Sequence, residues 1–274
     1  MNKIINPHLE QNKQSYISNP FKLIFKGFSD MFKYNQTISI IILVFGIIGY
    51  LGNFNSPTYN FNSTPEQTST AISNEIPSIS AEMITTLVII LLGVLMIIIP
   101  IILVITTIYQ GAVAYTALQT SRKKTVSVND ALSAVFSKFW TIIYINLIVF
   151  LKVFGGTLLF IVPGVRASLR YKMVLMHMFD KNLNAKDSIN QAKTTTKDHL
   201  IEVLGMSFAS AIVPFIGAVL DAGGQAVMYP QLINLKSSSA KKPDVHWLNY
   251  LAFILFGGFV LLMIFFVLIV LALT

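Results

Sequence analysis

The residues Leu158 to His199, LLFIVPGVRASLRYKMVLMHMFDKNLNAKDSINQAKTTTKDH, decide how the rest of this chain is read. An apolar run stops at Pro163-Gly164, turns cationic at Arg166, Arg170 and Lys172, and passes through Asp180 into a polar segment that regains apolar character at Leu200. Pro lacks a backbone N–H and its ring clashes with the preceding turn, while Gly accepts conformations other residues avoid, so Pro163 and Gly164 are the expected structural pivot. Past it, Arg166 and Arg170 stand at i, i+4, and His177 follows one turn beyond Met173, on what is expected to be one helical stripe.

Working outward, 54% of the residues are hydrophobic and only 12% charged, against about 25% charged in soluble domains. The expected fold is therefore all-α: a single polytopic membrane domain over residues 1–274. The formal net charge is +8, but the cations flank apolar segments and read as topology determinants, so nucleic acid is not an expected partner. With no Cys there are no disulfides, no thiol chemistry and no cysteine metal site. Apolar sequence of membrane length first appears near Thr37, too late for a secretory signal, and insertion without cleavage is expected.

In chain order, Ser18-Asn19-Pro20 offers a helix start. Phe21, Ile24, Phe25, Phe28, Met31 and Phe32 then fall on one helical face, and Lys22, Lys26, Ser29 and Asp30 on the other. This amphipathic helix either lies in the cytoplasmic headgroup layer or packs on its own transmembrane helices. Thr37 to Phe54 is the first apolar span. The stretch 55–82 is rich in Asn, Ser, Thr and Pro, carries Glu66, Glu75 and Glu82 and has no Lys or Arg, which puts it on the exterior. Met83 to Tyr109 is the second span, ending towards cytoplasmic Arg122-Lys123-Lys124, and Asn129 to Phe139 is a second amphipathic helix, with Val128, Leu132, Val135, Phe136 and Phe139 on one face.

Two later stretches are too long for one span and short for two. Trp140 to Phe179 must turn round for its basic residues to stay inside. Either Gly155-Gly156 is the outer turn of a short hairpin, the preferred reading, or the segment is re-entrant. Leu200 to Leu235 reads as a second short hairpin with its outer turn near Asp221, and Trp247 to Leu273 is the last span. The expectation is thus seven apolar segments in the inner (plasma) membrane of a bacterium, with a cytoplasmic N-terminus and an exterior C-terminus.

Ionisable residues at membrane depth are the default functional candidates. Lys152 and Asp221 are the intramembrane ones; they pair if the two hairpin tips meet, or else Lys152 reaches headgroups with its long stem and Asp221 is a solvated turn. Arg166, Arg170, Lys172 and His177 are candidates for binding an anionic lipid or another ligand, weighed against a basic stripe that merely holds a helix end at the cytoplasmic face. His177 with Asp180 at i+3 suggests a proton relay or half a metal site, a weak signal because two ligands lack a third. No nucleophile elbow, phosphate loop or paired-carboxylate pattern points to catalysis, so no catalytic residue, metal or cofactor is expected.

The run LLFIVPGV, followed by Arg170-Tyr171, a Met-rich stretch, Asp180-Lys181-Asn182, Asp187 to Lys193 and His199, resembles the YciC-like uncharacterised bacterial integral membrane proteins. These are related to the membrane domain beside some glycerophosphoryl diester phosphodiesterases. The resemblance covers Phe154 to Ser207, about a fifth of the chain, and departs from the pattern at Ala192, where many relatives carry Ser. It implies a polytopic helical fold and no known activity, and no stretch here could form the soluble phosphodiesterase barrel. The expected function is a non-enzymatic membrane protein that associates with lipids, anionic phospholipid among them, or supports an envelope complex with a membrane protein partner. The alternative is a small-solute transporter or a peptide-export or immunity component, since broken helices commonly line substrate sites.

Overall fold

The computed structural model describes residues 16–52, 81–213, 215–237 and 243–273, and the regular structure among these is entirely helical. The ten helices are α1 (Pro20–Gly52), α2 (Ala81–Ser121), α3 (Val128–Ser137), α4 (Phe139–Leu159), α5 (Ile161–Tyr171), α6 (Val174–Lys181), α7 (Ala185–Thr196), α8 (Leu200–Ile212), α9 (Gly217–Ser237) and α10 (Trp247–Leu273). Four contain stretches long and apolar enough to cross a membrane: Pro20–Ile48, Glu82–Ser121, Phe139–Leu159 and Trp247–Val270. The chain is a polytopic helical membrane protein by this measure. The expected tail 1–15 and most of the expected exterior loop, 53–80, lie outside the described residues.

The amphipathic stretch after Pro20 and the first span form one helix of 33 residues rather than two, kinked at Asn35, which has non-helical φ −138° and ψ 51°. Asn35 leaves helical geometry to bond the loop after α2. Its Nδ2 donates to Thr120 Oγ1 at 2.8 Å and to the Lys124 carbonyl at 3.1 Å, and its Oδ1 accepts from the Val126 amide at 2.7 Å. Ile24 and Met31 on the apolar face of this first half are fully buried in the protein, which favours packing on its own helices, although Phe25 stays half exposed.

Helix α9 is the core of the molecule. Its residues Val219, Leu220, Ala222, Gly223, Gly224, Ala226 and Val227 are all buried, and α1, α2 and α8 pack around it. The contact with α1 is backbone to backbone, since a Cβ at Gly27 would stand 2.0 Å from the Gly223 carbonyl oxygen. Only a pair of residues without side chains lets two helices approach so closely. Val219 and Ala222 then pack with Met31, Ile38 and Ile42 of α1, and Leu220 and Met228 join the main core with Leu23, Ile24 and Met206.

Helix α2 is about 60 Å long, twice the thickness of a hydrocarbon core. Its two parts differ. From Met83 to Ile105 its large apolar side chains are exposed on every side, while Thr107, Ala114, Ala117 and Leu118 are buried in the packed body. Most of α10 is exposed in the same way, anchored near its start by Asn249, whose Nδ2 donates to the Ser18 carbonyl at 2.9 Å. Helix α3 begins with a capping box between Ser127 and Asp130, which satisfies backbone N–H groups that a helix start leaves unpaired.

The hairpin readings need correction in detail. The first hairpin turns at Phe160, extended at φ −162° and ψ 148°, and not at Gly155-Gly156. Pro163 and Gly164 do not break a helix either, because α5 runs unbroken from Ile161 to Tyr171. Pro163 occupies the first turn, where its missing N–H would have had no intrahelical partner. The role of Gly164 is packing: a Cβ there would lie 2.8 Å from the Thr157 amide, and one at Gly156 would lie 2.9 Å from the Gly164 amide, so the two limbs meet through their glycines. In the second hairpin α8 ends at Ile212 and α9 begins at Gly217, so Asp221 lies inside a helix and is not an outer turn.

Candidate functional site

The charged residues fall into two groups of opposite character. The first lies on the α4–α5 hairpin. Its tip is bare hydrocarbon, with Leu158, Leu159 and Phe160 each more than 70% exposed and Val162 at 55%. Six residues along α5 from that tip, about 9 Å, stands exposed Arg166, and eight residues back along α4, about 12 Å, stands exposed Lys152. The Lys152 ammonium sits 4.9 Å from the centre of the Tyr171 ring, a cation–π contact across the hairpin. Arg170 is half-buried, its carbonyl accepts from Thr196 Oγ1 at 3.0 Å, and its Nε is enclosed without a partner. None of Lys152, Arg166 and Arg170 has a carboxylate partner among the described residues.

The second group lines one face of α9. Asp221, Gln225 and Tyr229 stand at i, i+4, i+8. Lys172, just past the end of α5, reaches Asp221 Oδ1 at 2.8 Å, and Gln225 Nε2 donates to Asp221 Oδ2 at 2.8 Å. The Lys172 contact is an ion pair rather than a well-aligned hydrogen bond, since the same Oδ1 has no aligned donor. At the other end Tyr229 donates to Asp180 Oδ2 at 2.8 Å, and Arg122 closes on Asp180 Oδ1. His177 Nδ1 lies 3.4 Å from the Tyr229 hydroxyl, the two rings meeting edge to face at 5.0 Å.

His177 is fully buried, and its Nε2 has no partner. Burial pushes its pKa down to about 4, assisted by Lys181 and Lys236 and opposed by Asp180, so the ring is neutral at pH 7. A third polar contact stands apart: His199 Nδ1 lies 3.2 Å from Glu202 Oε1 at the start of α8, where the buried carboxylate, after burial itself, raises the pKa of Tyr16.

Of the candidate residues, the structure keeps Lys152, Arg166 and Arg170 on one hairpin. Lys172 is drawn away from them to Asp221, and of the two alternatives for Asp221 neither holds: it does not pair with Lys152, and it is not a solvated turn. His177 does not continue the arginine stripe, because the chain turns at Lys172–Met173 and α6 takes the ring into the core while Arg166 stays exposed. Residues the sequence reading passed over are Arg122, Gln225 and Tyr229. The i, i+4, i+8 polar spacing on α9 was the available signal for the last two; nothing local marks Arg122 as the partner of Asp180. Among the described residues no cluster of His, Asp and Glu could hold a metal ion.

No known protein family, curated protein or solved structure matches this chain.

Proposed function

We propose that this chain is a non-enzymatic, lipid-associated protein of the bacterial plasma membrane, whose α4–α5 hairpin enters the bilayer from the basic face and holds anionic phospholipid. The observation that carries this reading is the hairpin itself: an exposed apolar tip followed on both limbs, about 10 Å down, by cations that no carboxylate among the described residues neutralises. A lipid supplies both complements at once, acyl chain for the tip and phosphodiester for the guanidinium groups. The reading keeps seven apolar segments, of which α5 and α8, at 11 and 13 residues, are too short to cross and belong to re-entrant hairpins. The positive-inside rule supports a cytoplasmic N-terminus and an exterior C-terminus. Kinship with the YciC-like proteins rests on the pattern between Phe154 and Ser207.

Native mass spectrometry of the purified chain tests the lipid reading. Arg166→Gln with Arg170→Gln should reduce retained anionic phospholipid about fivefold or more and leave zwitterionic lipid unchanged, the gap expected when two charge-assisted contacts are lost. Equal retention by both chains rejects it. A transport role is the second reading, supported by the charged residues sequestered along α9, where side chains expensive to bury are kept within a packed membrane protein.

A further inference from the structure

Beyond Tyr229 the polar face of α9 runs on to Lys236, seven residues further and on the same side of the helix. Helix α6 meets that face at His177, whose ring lies edge to face with Tyr229, and exposed Lys181 stands one turn past His177. Helix α7 packs on both α6 and α9, and there the Lys236 ammonium donates to Thr194 Oγ1 at 2.7 Å. The Thr194 hydroxyl donates in turn to the Gln191 carbonyl at 2.9 Å, so it holds Lys236 in place and leaves that ammonium two free donors. The two lysine charges are near enough to act on each other and on the ring beneath them. After partial burial, the charge of Lys181 lowers the pKa of Lys236, and both lysines help to lower that of His177.

Neither lysine has a carboxylate partner among the described residues. Asp180, next to Lys181 in sequence, is already held by Arg122 and Tyr229. The dipole of a helix favours a lysine in its last turn, which accounts for each charge taken singly. It does not account for two like charges set together with no anion between them, an arrangement that costs energy until an anion arrives.

We propose that Lys181 and Lys236, the second positioned by Thr194, form a binding site for a phosphate monoester group. The charge decides the class. A phosphate monoester carries about −1.5 to −2 at pH 7 on three acceptor oxygens, enough to answer both ammonium groups at once, whereas a carboxylate or a phosphodiester brings a single charge. Lysines meet phosphate as compact point charges with several donors each, without the planar register that arginine requires. The site is separate from the α4–α5 hairpin and shares no residue with it, so it does not rest on the lipid reading. Its phosphate has two sources: a soluble phosphate compound, or phosphatidic acid, the phospholipid whose headgroup is itself a monoester.

The test follows the side-chain Cε signal of Lys236 by 13C NMR in the full chain, assigned with Lys236→Gln and held in nanodiscs at constant ionic strength. In one arm the lipid is zwitterionic and inorganic phosphate or acetate is added; in the other the bilayer contains phosphatidic acid or phosphatidylglycerol and no phosphate is added. Phosphate should move the signal saturably, at least about tenfold more tightly than acetate. Exposed Lys181→Gln should weaken that binding about tenfold, while Lys138→Gln, which removes a charge elsewhere on the basic face, should leave it unchanged. A response to phosphatidic acid, absent with phosphatidylglycerol and with free phosphate, assigns the monoester to the lipid. A Lys236 signal that neither phosphate nor phosphatidic acid moves overturns the site. So does an equal response to the monoanion in either arm, or a loss from Lys138→Gln as large as that from Lys181→Gln.

Discussion

The α4–α5 and α8–α9 hairpins look alike as sequence, each an apolar stretch interrupted by Gly-Gly and by Pro near its turn, and the structure uses them in opposite ways. Around α9 the glycines face inward, Gly223 against Gly27, and every charge on the helix's polar face finds a partner. Around α4 the one packed glycine, Gly156, serves only the hairpin's own two limbs, the apolar side chains point outward, and the charges have no carboxylate partner among the described residues. What separates the two is the neighbour. A paired charge with a glycine against a foreign backbone marks a core element, and a charge without a carboxylate behind a bare apolar tip marks one that the protein itself leaves uncovered, the ground of the proposed lipid contact.

The largest effect that could break this contrast is at the α1–α9 contact. Gly27→Val forces a side chain into the Gly223 carbonyl, where the obstacle is backbone and cannot swing aside, and should cost about 3 kcal/mol or more. Gly155→Ala, where nothing lies within 4 Å, should change stability by about 1 kcal/mol or less, on the stabilising side because Ala suits a helix better. Thermal unfolding in detergent compares the two, and equal losses would erase the distinction between the hairpins. Next in size is Asp180→Asn, which leaves Arg122 without its carboxylate and should cost about 1–3 kcal/mol, the spread reflecting a pair that is only partly buried. The same measurement checks it, and a loss no larger than for Lys26→Gln, which removes the i, i+4 pair to Asp30 within α1, would make the α9 face ordinary surface.

A smaller effect sharpens the picture through pH. His177 takes its proton near pH 4 in the folded chain and near 6.5 when unfolded, so between those values the unfolded chain binds more protons. The neutral ring therefore costs no stability above about pH 6.5, and stability falls as the pH drops towards 4. His177→Gln removes that contribution. Between about pH 7 and pH 5 the wild-type unfolding temperature should drop further than the variant's, and parallel drops would mean the ring is not held neutral by its burial.

Much of the fold was legible because lipid imposes simple rules. Long apolar runs gave three of the four spanning-length helices, α1, α2 and α10, whereas α4 runs on through Gly155-Gly156, where the turn of a short hairpin was expected; the apolar stripe from Phe21 to Phe32 gave the first half of α1. The turn at Phe160 was not legible, since nothing local distinguishes it from the glycines four and five residues earlier. Gly155 and Gly156 stay helical because Gly156 is needed flat against Gly164 on the opposite limb, a tertiary demand that overrides their low helix propensity. Pro163 misled for a related reason: a helix breaker three residues into a helix breaks nothing. At the sites, the isolated charges on α4 and α5 were visible as sequence, whereas the linkages of Asp180 to Arg122 and of Lys172 to Asp221 join residues about fifty to sixty positions apart and follow only from how α2, α6 and α9 pack.

The depth of the α4–α5 tip tests the account most directly, and a chain with no native cysteine makes the measurement clean. Single nitroxide labels at Phe160→Cys and Arg166→Cys in liposomes report contact with oxygen, which partitions into hydrocarbon, and with a polar nickel complex, which does not. The account predicts that the label at 160 meets oxygen and is shielded from nickel, while the label at 166, about 9 Å along α5, meets both at headgroup level. Free access of nickel to the label at 160 would put the tip in water and contradict the central claim.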